Sequence, residues 1–119
     1  MGLALVACVQ VITVDVCGNT LHTFSAGVKA PRHLALDRDR NAVFAADFVN
    51  HRILQLTGQL TQPRYFVDAH SAVKMWTPIR LCYNESTSQL YVVHGAELSP
   101  SIYFVSIFTI RSPNQSLLQ

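Results

Sequence analysis

A carboxylate, a carboxamide, an imidazole and a guanidinium crowd into one short stretch of the chain: Asp47, Asn50, His51 and Arg52. Such a set could run general acid–base chemistry, with His51 moving a proton near neutral pH and Asp47 orienting it. It could equally be a brace. A carboxylate accepts a bidentate bond from arginine, and asparagine and histidine satisfy backbone groups that a turn leaves open. We read the four as a structural brace, so that Asp47→Ala is expected to destabilise the fold rather than abolish a reaction.

Other chemistries leave weaker traces. The five histidines, His22, His33, His51, His70 and His94, could suit a metal, but no His-Glu-x-x-His or Cys-x-x-Cys spacing accompanies them. They fall at turns, where polar residues belong in any case. There is no Gly-x-Ser-x-Gly elbow and no glycine-rich phosphate loop. Cys82 lies in the alternating run Leu81-Cys82-Tyr83 and reads as an inert, packed thiol. With Cys8 and Cys17 it makes an odd set without close pairing, which argues against a disulfide framework and for a reducing compartment such as the cytoplasm. Catalysis, a metal and any other cofactor are not expected.

Binding is the better prospect. Arg32, His33 and Arg64 lie in a mildly basic middle section, although Asp37, Asp39 and Asp47 interleave with its arginines and largely cancel the field. Trp76 could anchor a protein partner or pack between neighbouring sheets. These four, Arg32, His33, Arg64 and Trp76, are the candidate binding residues. A net charge of +2 is too weak to imply DNA or an anionic membrane, and neither partner is expected.

The elements that must position these residues repeat. Pro31-Arg32-His33-Leu34-Ala35-Leu36-Asp37 runs through a polar turn into Val43-Phe44-Ala45-Ala46-Asp47. Pro78-Ile79-Arg80-Leu81-Cys82-Tyr83-Asn84 runs through another into Leu90-Tyr91-Val92-Val93-His94. The two overlay without a gap, and a period of this size signals a propeller or solenoid. Short strands are expected at 34–36, 43–46, 53–56 and 64–67, with polar turns between them. A partial copy is expected at the N-terminus, Ala4–Ala7 matching Val43–Ala46 and Val14–Gly18 matching Leu54–Gly58. On that match the apolar start is a strand, not a signal peptide. Residues 102–110 make the most strand-like segment of all. An apolar fraction of 50% with only 13% charged residues argues against disorder.

Residues 31–56 resemble an NHL repeat, through Pro31 to Asp37 and then Asn41-Ala42-Val43-Phe44-Ala45-Ala46-Asp47-Phe48-Val49-Asn50-His51-Arg52-Ile53. Ile53 stands where the family usually has leucine or valine. In the copy at 78–94, Gly95-Ala96-Glu97 replaces the Asn-His-Arg step, and Cys8-Val9-Gln10 stands at the Asp47 position of the first. The resemblance implies a β-propeller whose motif residues brace the blade and whose loops recognise macromolecules. Such propellers commonly end tripartite-motif ubiquitin ligases, and some bind RNA.

The expected architecture is therefore all-β: a partial β-propeller of about two and a half four-stranded antiparallel blades. Residues 1–24 form a partial blade, 25–66 an NHL-type blade, 67–110 a degenerate blade with a longer inter-blade loop, and 111–119 a polar tail. The expected function is non-catalytic protein recognition, as in the substrate-selecting part of a ubiquitin-ligase-like protein. Single-stranded RNA binding by the same surface is one alternative, and a zinc-dependent lyase-like propeller is another. Exposed strand edges lead us to expect self-association of the isolated chain, or dependence on further blades.

Overall fold

The computed structural model describes residues 3–7, 9–67, 75–96 and 99–110, and among them there are ten strands and no helix. They form three antiparallel sheets. The first holds β1 (Leu3–Ala7), β2 (Gln10–Val14) and β3 (Thr20–Phe24). The second holds β4 (Pro31–Asp37), β5 (Ala42–Asp47), β6 (Arg52–Thr57) and β7 (Arg64–Val67). The third holds β8 (Trp76–Asn84), β9 (Gln89–Ala96) and β10 (Ser99–Thr109). Every sheet is a meander, each strand pairing with the next in sequence. Successive sheets pack face to face with β4 alongside β8, and the whole is an arc of β-propeller blades.

The centre of the arc is β5, whose six residues are all buried. Its side chains alternate between two cores, as the two-residue period of a strand requires. Phe44 and Ala46 face the third sheet, joining Ile53, Met75, Leu81, Leu90 and Val92. Val43 and Ala45 face the first, joining Val11, Val28, Leu54, Leu56 and Leu60. Phe44 reaches the third sheet through a ring contact to Tyr83, at 5.7 Å between centroids, and packs on Phe66 of its own sheet at 6.2 Å. The apolar run on both faces, read from sequence as a buried strand, is thus the wall shared by two cores.

Backbone geometry carries the repeat more faithfully than side chains do. Asn41 and Ser88 close equivalent turns with left-handed φ of 51° and 54°. Ala30 and Thr77, which precede the equivalent prolines Pro31 and Pro78, have φ of 51° and 43°.

The first sheet shows the same logic at a different register from the one expected. Val14–Gly18 is not a strand. β2 ends at Val14, and Asp15 opens a turn in which its amide donates to the Asn19 carbonyl at 3.0 Å. Thr57 does the same to Thr61 at 2.9 Å. The Asp15 carboxylate and the Thr57 hydroxyl accept the amides of Asn19 and Thr61. Gly18 (φ 86°) and Leu60 (φ 60°) then take equivalent left-handed positions. Gly18 therefore matches Leu60 rather than Gly58. The side chain of Asp15 competes for the backbone and ends the strand, which hydrophobic pattern alone does not reveal. With β2 and β3 equivalent to β6 and β7, β1 corresponds to β5 and lies beside β4 as β5 lies beside β8.

The expected loop residues Asp68 to Ser71, Cys8, Glu97 and the polar tail 111–119 lie outside the described residues.

Candidate functional site

β5 ends on Asp47, the turn Phe48–His51 follows, and β6 begins with Arg52 directly opposite Asp47 in the ladder. Asp47 is fully buried. Its carboxylate accepts the Lys29 amide at 2.9 Å, the Asn50 carboxamide N–H at 2.9 Å and Arg52 Nε–H at 2.7 Å. Asn50 and Arg52 also donate to the Gly27 carbonyl, at 2.7 and 3.0 Å. Together they clamp the segment 27–29, which leads from the first sheet into the second. Gly27 has φ of 74° there, a conformation that a side chain disfavours.

His51 works in the other direction. Its ring stacks on Trp76, with centroids 3.7 Å apart and planes 6° from parallel, and its Nδ1 accepts the Thr77 amide at 3.0 Å. One turn thus holds the segment before its own sheet and the first strand of the next.

The candidate binding residues do not form one patch. Arg32 is exposed at the start of β4, its guanidinium 4.0 Å over the Phe48 ring. Trp76 stands half-buried at the same end of the strands. His33 is engaged inside the arc, where its Nδ1 accepts the Leu81 amide at 3.1 Å and ties β4 to β8. Arg64, paired opposite Gln55, sits toward the other end and lines a cleft of about 450 Å³ with Arg40, Asn41, Gln62 and Phe66.

That other end carries a network that the sequence does not announce. Asp37, fully buried, accepts the Arg40 amide at 3.2 Å and Arg40 Nη1–H at 3.0 Å. The same Nη1 reaches the Tyr83 hydroxyl at 3.0 Å and Ser88 Oγ at 3.4 Å. The bond to Asp37 raises the Arg40 pKa above its ordinary value, and burial raises that of Tyr83. The Arg38 amide donates to Glu85 at 3.1 Å. The only sequence signal for this network was polar residues at matching turns of two copies.

Two expectations about individual residues change. Cys82 is exposed, not packed, and so is Cys17. Leu81 turns into the core, so strand alternation sends Cys82 to the opposite face, onto an open cleft lined by Leu36, Arg38 and Glu85. His22 and His33 lie within β3 and β4 rather than at turns, and so does His94, which lies in β9 and is buried. Its Nδ1–H donates to the Gly95 carbonyl at 2.8 Å, and its Nε2 accepts the Ser106 hydroxyl at 2.7 Å. His22 is exposed on β3, and His70 lies outside the described residues. Among the described residues, no group of three or more His, Cys, Asp or Glu side chains is placed to hold a metal ion.

No family model matches the chain, and neither does any curated protein. Among solved structures, it is similar to a chain in the crystal structure of a nidogen/laminin complex. The TM-score is 0.64 at 17% identity, covering 88% of this chain and 43% of that one. At that identity the likeness is one of fold. The chain is an all-β partial β-propeller and spans less than half the length of the structure it matches.

Proposed function

We propose that the chain is a slice of a non-catalytic recognition propeller of NHL type that binds another protein. The observation that carries the reading is the β5–β6 turn. Its polar groups brace the scaffold in both directions while Arg32, Val49 and Tyr65 around it stay exposed. Rigid sheets presenting exposed loop residues are the usual platform for recognition. The NHL assignment rests on Pro31 to Asp37 and on Asn50-His51-Arg52-Ile53. The similar propeller chain was solved in a nidogen/laminin complex, which agrees with a protein partner in general terms. The exposed thiols of Cys17 and Cys82 suit a reducing compartment, and we place the protein in the cytoplasm, as a substrate-selecting part of a ubiquitin-ligase-like assembly.

Immobilised chain should retain protein partners from a cell extract after nuclease treatment. Retention of nucleic acid alone would overturn the reading. Filter binding with single-stranded RNA gives the complementary result: weak affinity and a shallow salt slope support protein recognition, and a steep loss with salt supports RNA. Stoichiometric zinc in the purified protein would instead favour a lyase-like propeller.

A further inference from the structure

We infer that the end of the arc carrying the β5–β6 turn docks an acidic segment of a partner protein. The inference rests on the protein-recognition reading above and gives it a site and a ligand chemistry.

Charge is sorted along the strands. In a meander, alternate turns fall at the same end. Asp15, Asp37, Asp39 and Glu85 all lie in or beside the β2–β3, β4–β5 and β8–β9 turns, at one end. At the opposite end the described carboxylate is Asp47, which is fully buried and paired with Arg52. Asp68 and Glu97 stand outside the described residues. Lys29 and Arg32 are exposed at that end, and among the described residues neither side chain makes a hydrogen bond or ion pair. Their field is therefore not cancelled locally by described groups, unlike that of Arg40.

The Arg32 guanidinium is also held in place. Resting 4.0 Å over Phe48, it loses little freedom on binding and keeps the edge of its fork for a carboxylate. Val49, half exposed at the tip of the turn, adds an apolar contact beside it. The combination suits a protein segment that carries carboxylates among apolar residues.

It suits RNA poorly. Bases bind by stacking on open aromatic faces. Here Phe48 is covered by Arg32, Tyr65 by Arg52 at 4.0 Å and Trp76 by His51, each on one face. Among the described residues, Lys29 and Arg32 are the cations there without an ion pair, and two such charges release few counterions.

The test is fluorescence anisotropy of a fluorescein-labelled peptide alternating glutamate and leucine, titrated with the full chain. Saturable binding is expected, weakened about tenfold or more in the Lys29→Glu, Arg32→Glu double variant. Arg64→Glu, at the other end, should bind as the parent does. Emission of Trp76 checks that each variant is folded. Should the double variant fail that check, Arg32→Gln removes the charge without reversing it and should weaken binding in the same direction. Absence of binding, equal loss in the Arg64 variant, or preference for a single-stranded RNA oligonucleotide would overturn the inference. If nuclease-treated partners are retained by the double variant as well as by the parent, the surface falls while the protein-recognition reading stands.

Discussion

Replacing Asp47 with alanine would withdraw one acceptor from three donors at once. The Lys29 amide, the Asn50 carboxamide and Arg52 Nε all bond to this carboxylate. Deleting one partner of a buried ion pair costs about 3–5 kcal/mol. Two features reduce that figure. The Arg52 side chain keeps 18% of its surface in contact with water, and Asn50 and Arg52 both retain the Gly27 carbonyl. The Lys29 amide has no such second acceptor among the described residues, so its lost bond counts in full, at about 1–3 kcal/mol. The expected loss is about 2–4 kcal/mol, a large share of a typical domain's stability. Urea denaturation followed by the emission of Trp76, the sole tryptophan, reads this directly. With a slope of about 2 kcal/mol per molar, in the middle of the typical range, the midpoint should fall by about 1–2 M. Asp47→Asn sharpens the test. An amide can offer its oxygen to Lys29 or to the Arg52–Asn50 pair, but it then turns its own N–H groups toward the donors on the other side. It should lose at least half as much as the alanine variant. A midpoint within error of the parent, or no lower than that of exposed Asp39→Ala, would refute the view that this carboxylate holds the segment 27–29.

Three further outcomes are expected. His51→Phe keeps an aromatic ring on Trp76 but leaves the Thr77 amide without its acceptor. It should cost about 1–2 kcal/mol and speed hydrogen exchange at Thr77, and unchanged exchange there would count against the junction described. Gly58→Ala should destabilise, because a β-carbon would run into the Asn41 carboxamide. Asn41→Gly removes that group at a residue already at φ 51°, so the double variant should recover most of the loss. Finally, the hydrogen bonds from the Asn19 backbone and side chain, with a smaller one from the Cys17 amide, hold the Asp15 pKa below 3.8 against the opposing effect of burial. Its support for the β2–β3 turn is fully present above the unfolded value and is lost as pH falls through the lower folded value. Amide shifts of Cys17 and Asn19 should titrate with a midpoint below 3.8 and lose that dependence in Asp15→Asn; a midpoint at or above 3.8 would contradict this.

The fold was legible because its signal is hydrophobic spacing. Val43 to Ala46 announced a strand buried on both faces, and the Pro31 and Pro78 copies placed the first strands of two neighbouring sheets. Legibility failed where a single side chain overrules the pattern. Asp15 ends β2 by capping its own turn, and nothing in the apolar–polar alternation of Val14 to Val16 shows that. It failed again for Cys82, because alternation says that neighbouring residues face opposite ways but not which of them faces the core. The site was legible in kind but not in partners. Asp47, Asn50, His51 and Arg52 stood out as a cluster, yet their contacts lie at Gly27, Lys29, Trp76 and Thr77, on segments the sequence leaves apart. The Arg40 network fared worst, since Asp37, Tyr83 and Ser88 come together only once two sheets are packed.

The two directions of the β5–β6 turn have a consequence for how the chain is made. Asp47 follows Lys29 by 18 residues, and Thr77 follows His51 by 26. At translation rates of about 5–20 residues per second, the segment 27–29 waits about one to four seconds for the carboxylate that clamps it. His51 waits a similar time for Thr77. During each interval a freshly emerged strand face, first that of β2 and then that of β5, has no neighbouring sheet to cover it. On this schedule each sheet is expected to cover the one before it as it emerges, a series of short handovers rather than one late collapse.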